Sequence, residues 1–263
     1  MAAWMLAGAL LAAGWASYRY PWWRKPVDYS HPRILTYHMI TDPRQAGPVP
    51  SLAVKPETFE RQIAYLRKAG WHFAKISELY SGSVPAKTVA ITFDDGYQDN
   101  LTHALPILLR YQAKATLYLI ADRQRPLAAG GRPDGQPLAP LLSNDEVRKM
   151  LDSGAVELGA HTLTHPNLVS CEPAVRRHEL SEGKRRLEQD FARPINAFAY
   201  PFGGLDSDLP ELVAEAGFDS AATTRQGISR DLAADRLRLQ RIRISGRDNL
   251  LNFRLRLRIG RKR

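Results

Sequence analysis

The chain has 263 residues, 44% of them hydrophobic and 24% charged, a balance that excludes a disordered or fibrous protein and suits one large globular domain, with length alone allowing two. Its single cysteine, Cys171, excludes an intrachain disulfide. The net charge of +10 lies in the tail: from Arg236 onward eleven Lys and Arg stand against one acid, Asp248, leaving residues 1–235 neutral overall.

Residues 1–18 contain no charged side chain, and at about 1.5 Å per residue a helix of that length approaches the hydrocarbon core of a bilayer. Two readings compete: a cleaved signal peptide with Gly14-Trp15-Ala16 as a small-x-small site, or a retained anchor. The basic residues Arg19, Arg24 and Lys25 follow the apolar run, beside Trp15, Tyr18, Tyr20, Trp22 and Trp23. That order favours a single-pass N-terminal anchor within residues 1–25 of an inner, cytoplasmic membrane, with residues 26–263 facing the cytoplasm; export is the alternative.

Pro21, Pro26 and Pro32 mark a stiff linker. Strands are expected at 33–38, 72–76, 88–94, 114–120, 156–162, 197–200 and 220–224, with helices at 56–70, 100–111, 144–153, 173–191 and 208–216. Such alternation argues for a parallel α/β sheet or barrel. The stretch 122–143, rich in Gly and Pro, is either the wall of a groove or a surface insertion. Arg176 to Glu188 reads as a solvated charged face, and Asp206 and Asp208 as turn and cap residues. Residues 236–245 alternate with period two and read as a further strand, one face apolar and the other cationic and exposed, and residues 249–263 suit a helix or an extended segment equally. The basic tail could meet anionic lipid headgroups or simply solubilise the chain. Nucleic acid is the poorer partner, because the aromatics are not interleaved as stacking platforms.

The strand at Thr88 to Phe93 stops on adjacent carboxylates, Asp94 and Asp95, followed by Gly96. An unpaired buried carboxylate is costly or neutralises itself, so a cationic partner is expected. Adjacent residues of a strand point opposite ways; the two can share a site only where the strand breaks, and Gly96 offers that freedom. A second strand ends in His161-Thr-Leu-Thr-His165, whose two imidazoles need only a carboxylate to hold one metal ion by three protein groups. Pro166 disfavours the α conformation at His165 and places the pair at a strand end and tight turn.

Three motifs, Thr92-Phe-Asp-Asp-Gly96, His161-Thr-Leu-Thr-His165 and Phe198-Ala-Tyr-Pro-Phe-Gly203, give the chain, from about Arg33 to its C-terminus, a resemblance to the polysaccharide deacetylases of carbohydrate esterase family 4, the NodB-homology domain. The resemblance implies a distorted (β/α)7 barrel, here preceded by an N-terminal hydrophobic helix. It implies one divalent metal ion, commonly zinc, on Asp95, His161 and His165, and Asp94 as general base. The substrate implied is an amino-sugar glycan or lipid-linked saccharide of the cell envelope, losing an N-acetyl or formyl group. The oxyanion would meet the backbone N–H of Phe202, within Tyr200-Pro201-Phe202. In this barrel the loops after the strand C-termini build the site, and His38, Asp94, Asp95 and His161 all stand at such ends. Two residues common in the family are missing: Ala199 stands where an arginine orients the base, and no histidine follows His178 to act as general acid. His38, ending the first strand, is the candidate proton donor, and Arg241 the candidate for the arginine. The alternative is a degenerate member that binds glycan or lipid without turnover.

Overall fold

A computed structural model of the chain describes residues 22–47, 49–124 and 139–260, with Gly14 and Ser17. Most of the apolar segment 1–18, the middle of the 122–143 stretch and the last three basic residues lie outside the described residues. Among the described residues no helix is long and apolar enough to cross a membrane.

The strands are β1 (Arg33–Tyr37), β2 (His72–Ala74), β3 (Thr88–Phe93), β4 (Ala115–Leu119), β5 (Val156–Ala160), β6 (Ala197–Ala199), β7 (Ser220–Gln226) and β8 (Leu239–Arg243). The helices are α1 (Pro56–Lys68), α2 (Leu105–Arg110), α3 (Asn144–Asp152), α4 (Pro173–Phe191), α5 (Leu209–Glu215) and α6 (Leu250–Ile259). All strand pairs are parallel, in the order β1-β8-β7-β6-β5-β4-β3, and β1 pairs back onto β3 to close a seven-stranded barrel. The eighth strand, β2, accounts for the distortion. It pairs with Thr88–Ala90 on the first half of β3, and β4 takes over the same edge at Ile91–Phe93.

Period two sorts each strand into an inner and an outer face. On β3, Val89, Ile91 and Phe93 point outward into the main core with Phe59, Ile63 and Leu66 of α1 and Leu108 of α2. Ala90 points inward with Ile34, Tyr118, Ala197, Ala199, Ala222 and Leu239. The inner face is thus built largely of alanine, and this leaves room at the C-terminal end of the barrel for larger polar groups. Among them are Asp94, next on the inward side after Ala90 and Thr92, and Arg241, next after Leu239.

Several elements depart from the sequence expectation. Strand β2 stops at Ala74, and a 3-10 turn, Ser77–Tyr80, follows it; the Glu78 carboxylate draws in the Lys75 N–H at 2.8 Å. The expected 100–111 helix opens as a π-helical turn, Asn100–Ala104, before α2. Of the two conformations open to the tail, residues 250–259 take the helical one, capped by Asn249, whose side chain accepts from the Asn252 N–H. The cationic face of β8 is not wholly exposed, since Arg241 is buried inside the barrel, and in α6 Arg256 is buried against Asp248. Asp206 does serve as a cap, accepting from the Leu209 N–H at the start of α5, and it also pairs with Arg176.

Candidate active site

Strand β3 hands over to the site through an abrupt break. Asp94 continues the inward face, and Asp95 takes the left-handed region at φ 73°, followed by Gly96 at φ 87°. The break therefore begins one residue earlier than the glycine, on Asp95 itself. A side chain on Gly96 would also strike Leu119, with Cβ 2.3 Å from its Cδ1. Thr162 and His165 both stand at φ 64° and Phe202 at φ 58°. Non-glycine residues in this region carry strain, and four of the seven among the described residues, Asp95, Thr162, His165 and Phe202, stand at this end of the barrel.

Asp94 and Asp95 are both buried and have different partners. Arg241 donates to both oxygens of Asp94, at 2.7 and 2.8 Å, and also to the Thr92 hydroxyl at 3.1 Å and the Thr223 carbonyl at 2.9 Å. Burial alone would push the Asp94 carboxyl up, but the Arg241 charge, with His38, holds it below the ordinary carboxylate range. Asp95 has its Oδ1 3.4 Å from His161 Nε2 and 3.3 Å from His165 Nε2. Burial opposes its charge too, and the two histidines outweigh burial to hold it well below its usual value.

These three groups fit a metal ion on the chemistry of their donors. Their ligand atoms lie within 4.8 Å of one another. His161 Nδ1 is 2.7 Å from the Ala199 carbonyl, which can only accept, so Nδ1 carries a proton and Nε2 faces Asp95. Against the effect of burial, Asp95 and Asp94 raise the His161 pKa, so the contact is bridged by a cation, either a proton on Nε2 or a metal ion that takes its place on the lone pair. The buried Nδ1 of His165 has no partner among the described residues.

The turn bearing His165 is held from α4. Glu179 accepts from the N–H groups of Leu163 and Thr164 at 3.0 and 2.8 Å, and from the Thr164 hydroxyl at 2.6 Å. One helical turn on, Gly183 presses against the same turn, where a Cβ would stand 2.8 Å from Leu163 N. The 176–188 face is thus not simply solvated: Glu179 and Gly183 point inward.

His38 is half-buried and lines the same cavity as Asp94, Asp95, His161 and His165. Burial lowers the pKa of its imidazole, although Asp95 and Asp94 pull it the other way. The segment after β1 is clamped by the π turn region: Asn100 Nδ2 donates to the His38 carbonyl at 2.8 Å, and Asp99 accepts from the Ile40 N–H at 2.9 Å. His103 Nδ1 lies 2.8 Å from the Ile40 carbonyl, which gives that histidine a partner the sequence did not suggest.

Tyr200 and Phe202 line the same cavity, with Pro201 buried between them in the chain. The Phe202 ring lies against His165, centroids 4.9 Å apart, and its carbonyl accepts from the Thr224 hydroxyl at 3.0 Å. The Tyr200 hydroxyl donates to the Leu237 carbonyl at 2.9 Å. The cavity, of about 370 Å³, is completed by residues that sequence reasoning missed, including Val49, Leu52, Tyr97, Gln226 and Arg243. All nine residues singled out in the sequence, from His38 to Arg241, meet at this end of the barrel.

Residues 81–221, more than half of the 263-residue chain, match the polysaccharide deacetylase domain. The chain belongs to the polysaccharide deacetylase family. Among its relatives is the poly-β-1,6-N-acetyl-D-glucosamine N-deacetylase of Staphylococcus aureus, 26% identical over 181 residues, which are 64% of this chain and 60% of that protein. A polysaccharide deacetylase from Bacillus cereus has a similar fold, with a TM-score of 0.74 and 26% identity over 87% of this chain and 69% of that one. A Streptococcus pyogenes deacetylase, solved with acetate, gives a TM-score of 0.70 at 26% identity, covering 85% of this chain and 95% of the other. The distorted barrel of this polysaccharide deacetylase is therefore the fold of the family.

Proposed function

We propose that the chain is a metal-dependent N-deacetylase, a hydrolase that removes acetyl, or formyl, from an amino sugar in a cell-surface polysaccharide or its lipid-linked precursor. The observation that carries the reading is the division of labour between neighbouring carboxylates. Asp95 is committed to two histidines, and Asp94 is held ionised and apart from them by Arg241. The names of the Staphylococcus and Streptococcus relatives support an acetylated amino sugar and acetate as the product class.

Asp95, His161 and His165 would hold one divalent ion, zinc on the preference of a two-histidine, one-carboxylate set, which supplies Lewis acidity and a water acidic enough to react near neutral pH. Asp94 is assigned the proton of the attacking water. Arg241 occupies one lone-pair direction on each of its oxygens and leaves another free, so the carboxylate is oriented without being blocked. The Phe202 N–H is assigned to the developing oxyanion, with Tyr200 and Pro201 as the surrounding wall. His38 is assigned the leaving amine. Its lowered pKa leaves it neutral at first, so it donates only after gaining a proton, and Asp94, which becomes a neutral carboxylic acid on taking the proton of the water, is the source of that proton in the same cavity.

A member that binds glycan without turnover was the competing reading, resting on two absent residues. Arg241 pairs with Asp94 from another strand, which removes half of that ground. The test is acetate release from N-acetylglucosamine oligomers by wild type and Asp94→Asn. Turnover should vanish in the variant while metal stays bound; full activity there would refute the base assignment.

We assign the chain to the cytoplasmic membrane through residues 1–25, with the domain of residues 26–263 on the cytoplasmic side, where the lipid-linked precursor is the substrate within reach; export, the alternative, would give it the cell-surface polysaccharide. The order of apolar and basic residues supports the assignment, as do Trp22 and Trp23, each 60% exposed beside Arg24. Protease added to intact spheroplasts should spare the domain and cleave it after lysis. Cleavage before lysis would place the domain outside.

A further inference from the structure

We infer that Arg243 seats an anionic group of the substrate, so that the preferred glycan carries a carboxylate or a phosphate next to the N-acyl sugar. The inference deepens the deacetylase reading and rests on it.

Arg243 follows Arg241 by two residues on β8, so both belong to the inner face, roughly 7 Å apart along the strand. They differ in what they meet. Arg241 is buried and matched by Asp94, and the nearby Arg256 is matched by Asp248. Arg243 is exposed, lines the cavity mouth and, among the described residues, has no carboxylate within ion-pair distance. Among the described residues its guanidinium reaches only the Ser51 hydroxyl, at 3.4 Å. The acids of the cavity are already committed, Asp94 to Arg241 and Asp95 to the histidines, so Arg243 is not there to balance them.

Its backbone is fixed on two sides. Arg243 pairs with Thr36 of β1, and its carbonyl accepts from Arg256, whose own charge is neutralised by buried Asp248. Val49 and Leu52 form an apolar wall of the same cavity. A cation beside apolar surface at the mouth of a cleft holds an anion more strongly than one in open solvent, and a guanidinium presents the forked donors that carboxylate and phosphate accept. Arg243 and His38 line the same cavity, which puts an anion on Arg243 in the compartment of the reacting groups.

The test uses the full-length protein and three probes: the N-acetylglucosamine trimer, its 6-O-phosphate and its counterpart oxidised to carboxylate at C6. Equilibrium binding is measured by calorimetry alongside acetate release, on wild type, Arg243→Gln and Arg243→Lys. Wild type should bind one or both anionic probes about ten-fold more tightly than the neutral trimer, and the preference should collapse in Arg243→Gln through KM rather than kcat and partly return in Arg243→Lys. Preference for the phosphate alone points to a phosphate-bearing glycan, and for the carboxylate alone to an acidic sugar. Equal binding of all three probes by wild type, or a preference that survives in Arg243→Gln, overturns the inference. Binding that prefers an anion without acetate release would instead count against the deacetylase reading.

Discussion

Arg241 grips Asp94 by two parallel hydrogen bonds of 2.7 and 2.8 Å, across 147 residues of sequence. The pair meets inside the barrel because β8 and β3 flank β1 and each turns its odd or even set inward. Breaking a buried pair from one side costs about 3–5 kcal/mol, so Arg241→Ala would report on folding as much as on chemistry.

Arg241→Lys keeps the charge and loses the fork. We expect kcat to fall at least about ten-fold with the fold intact by circular dichroism. Arg241 depresses the Asp94 carboxyl, so a weaker partner lets that pKa rise and moves the acid limb of the pH–rate profile upward. An unmoved acid limb would separate Arg241 from the titration of Asp94.

Glu179 touches no candidate ligand directly but holds the turn that presents His165. Glu179→Gln should weaken zinc affinity about 10–100-fold, as loss of a supporting residue does in metal sites. Competition with a chromogenic chelator measures this, and unchanged affinity would show that the turn is held by other means.

Gly183→Ala places a methyl 2.8 Å from Leu163 N and 2.9 Å from Thr162 C, and backbone cannot yield as a side chain would. Overpacking of this kind costs about 1–3 kcal/mol. Thermal unfolding should show a Tm lower by several degrees, roughly 2–4 °C for each kcal/mol in a domain of this size.

Asp99 is pushed up by burial to about 6, against the hydrogen bond from Ile40. A carboxyl whose folded pKa is raised contributes stability that is fully present below its unfolded value and is lost as pH rises through about 6. Asp99→Asn keeps the accepting oxygen and removes the charge. The variant should gain about 1–2 kcal/mol on wild type between pH 4 and pH 8 in urea titrations, after allowance for partial exposure. A constant difference across that range would mean that Asp99 does not titrate there.

The strands and helices were legible because their apolar periods are clean, and the ligand set because two histidines and two carboxylates close on strand ends. Arg241 was visible only as a candidate, since a basic alternation reads the same whether its charged face looks to solvent or into a barrel. Glu179 and Gly183 were hidden inside a helix whose charges suggest a wet surface; only the packing of α4 on the His165 turn distinguishes them. The rim formed by Val49, Leu52, Gln226 and Arg243 comes from three separate segments and has no local signal at all.

The most direct measurement is zinc content together with acetate release from an N-acetylglucosamine oligomer, on the purified full-length chain before and after chelation and on His165→Ala. We expect about one zinc per chain, with acetate release lost on chelation and restored by zinc, and neither metal nor activity in His165→Ala. Acetate release that persists at full rate in metal-free protein would contradict the account.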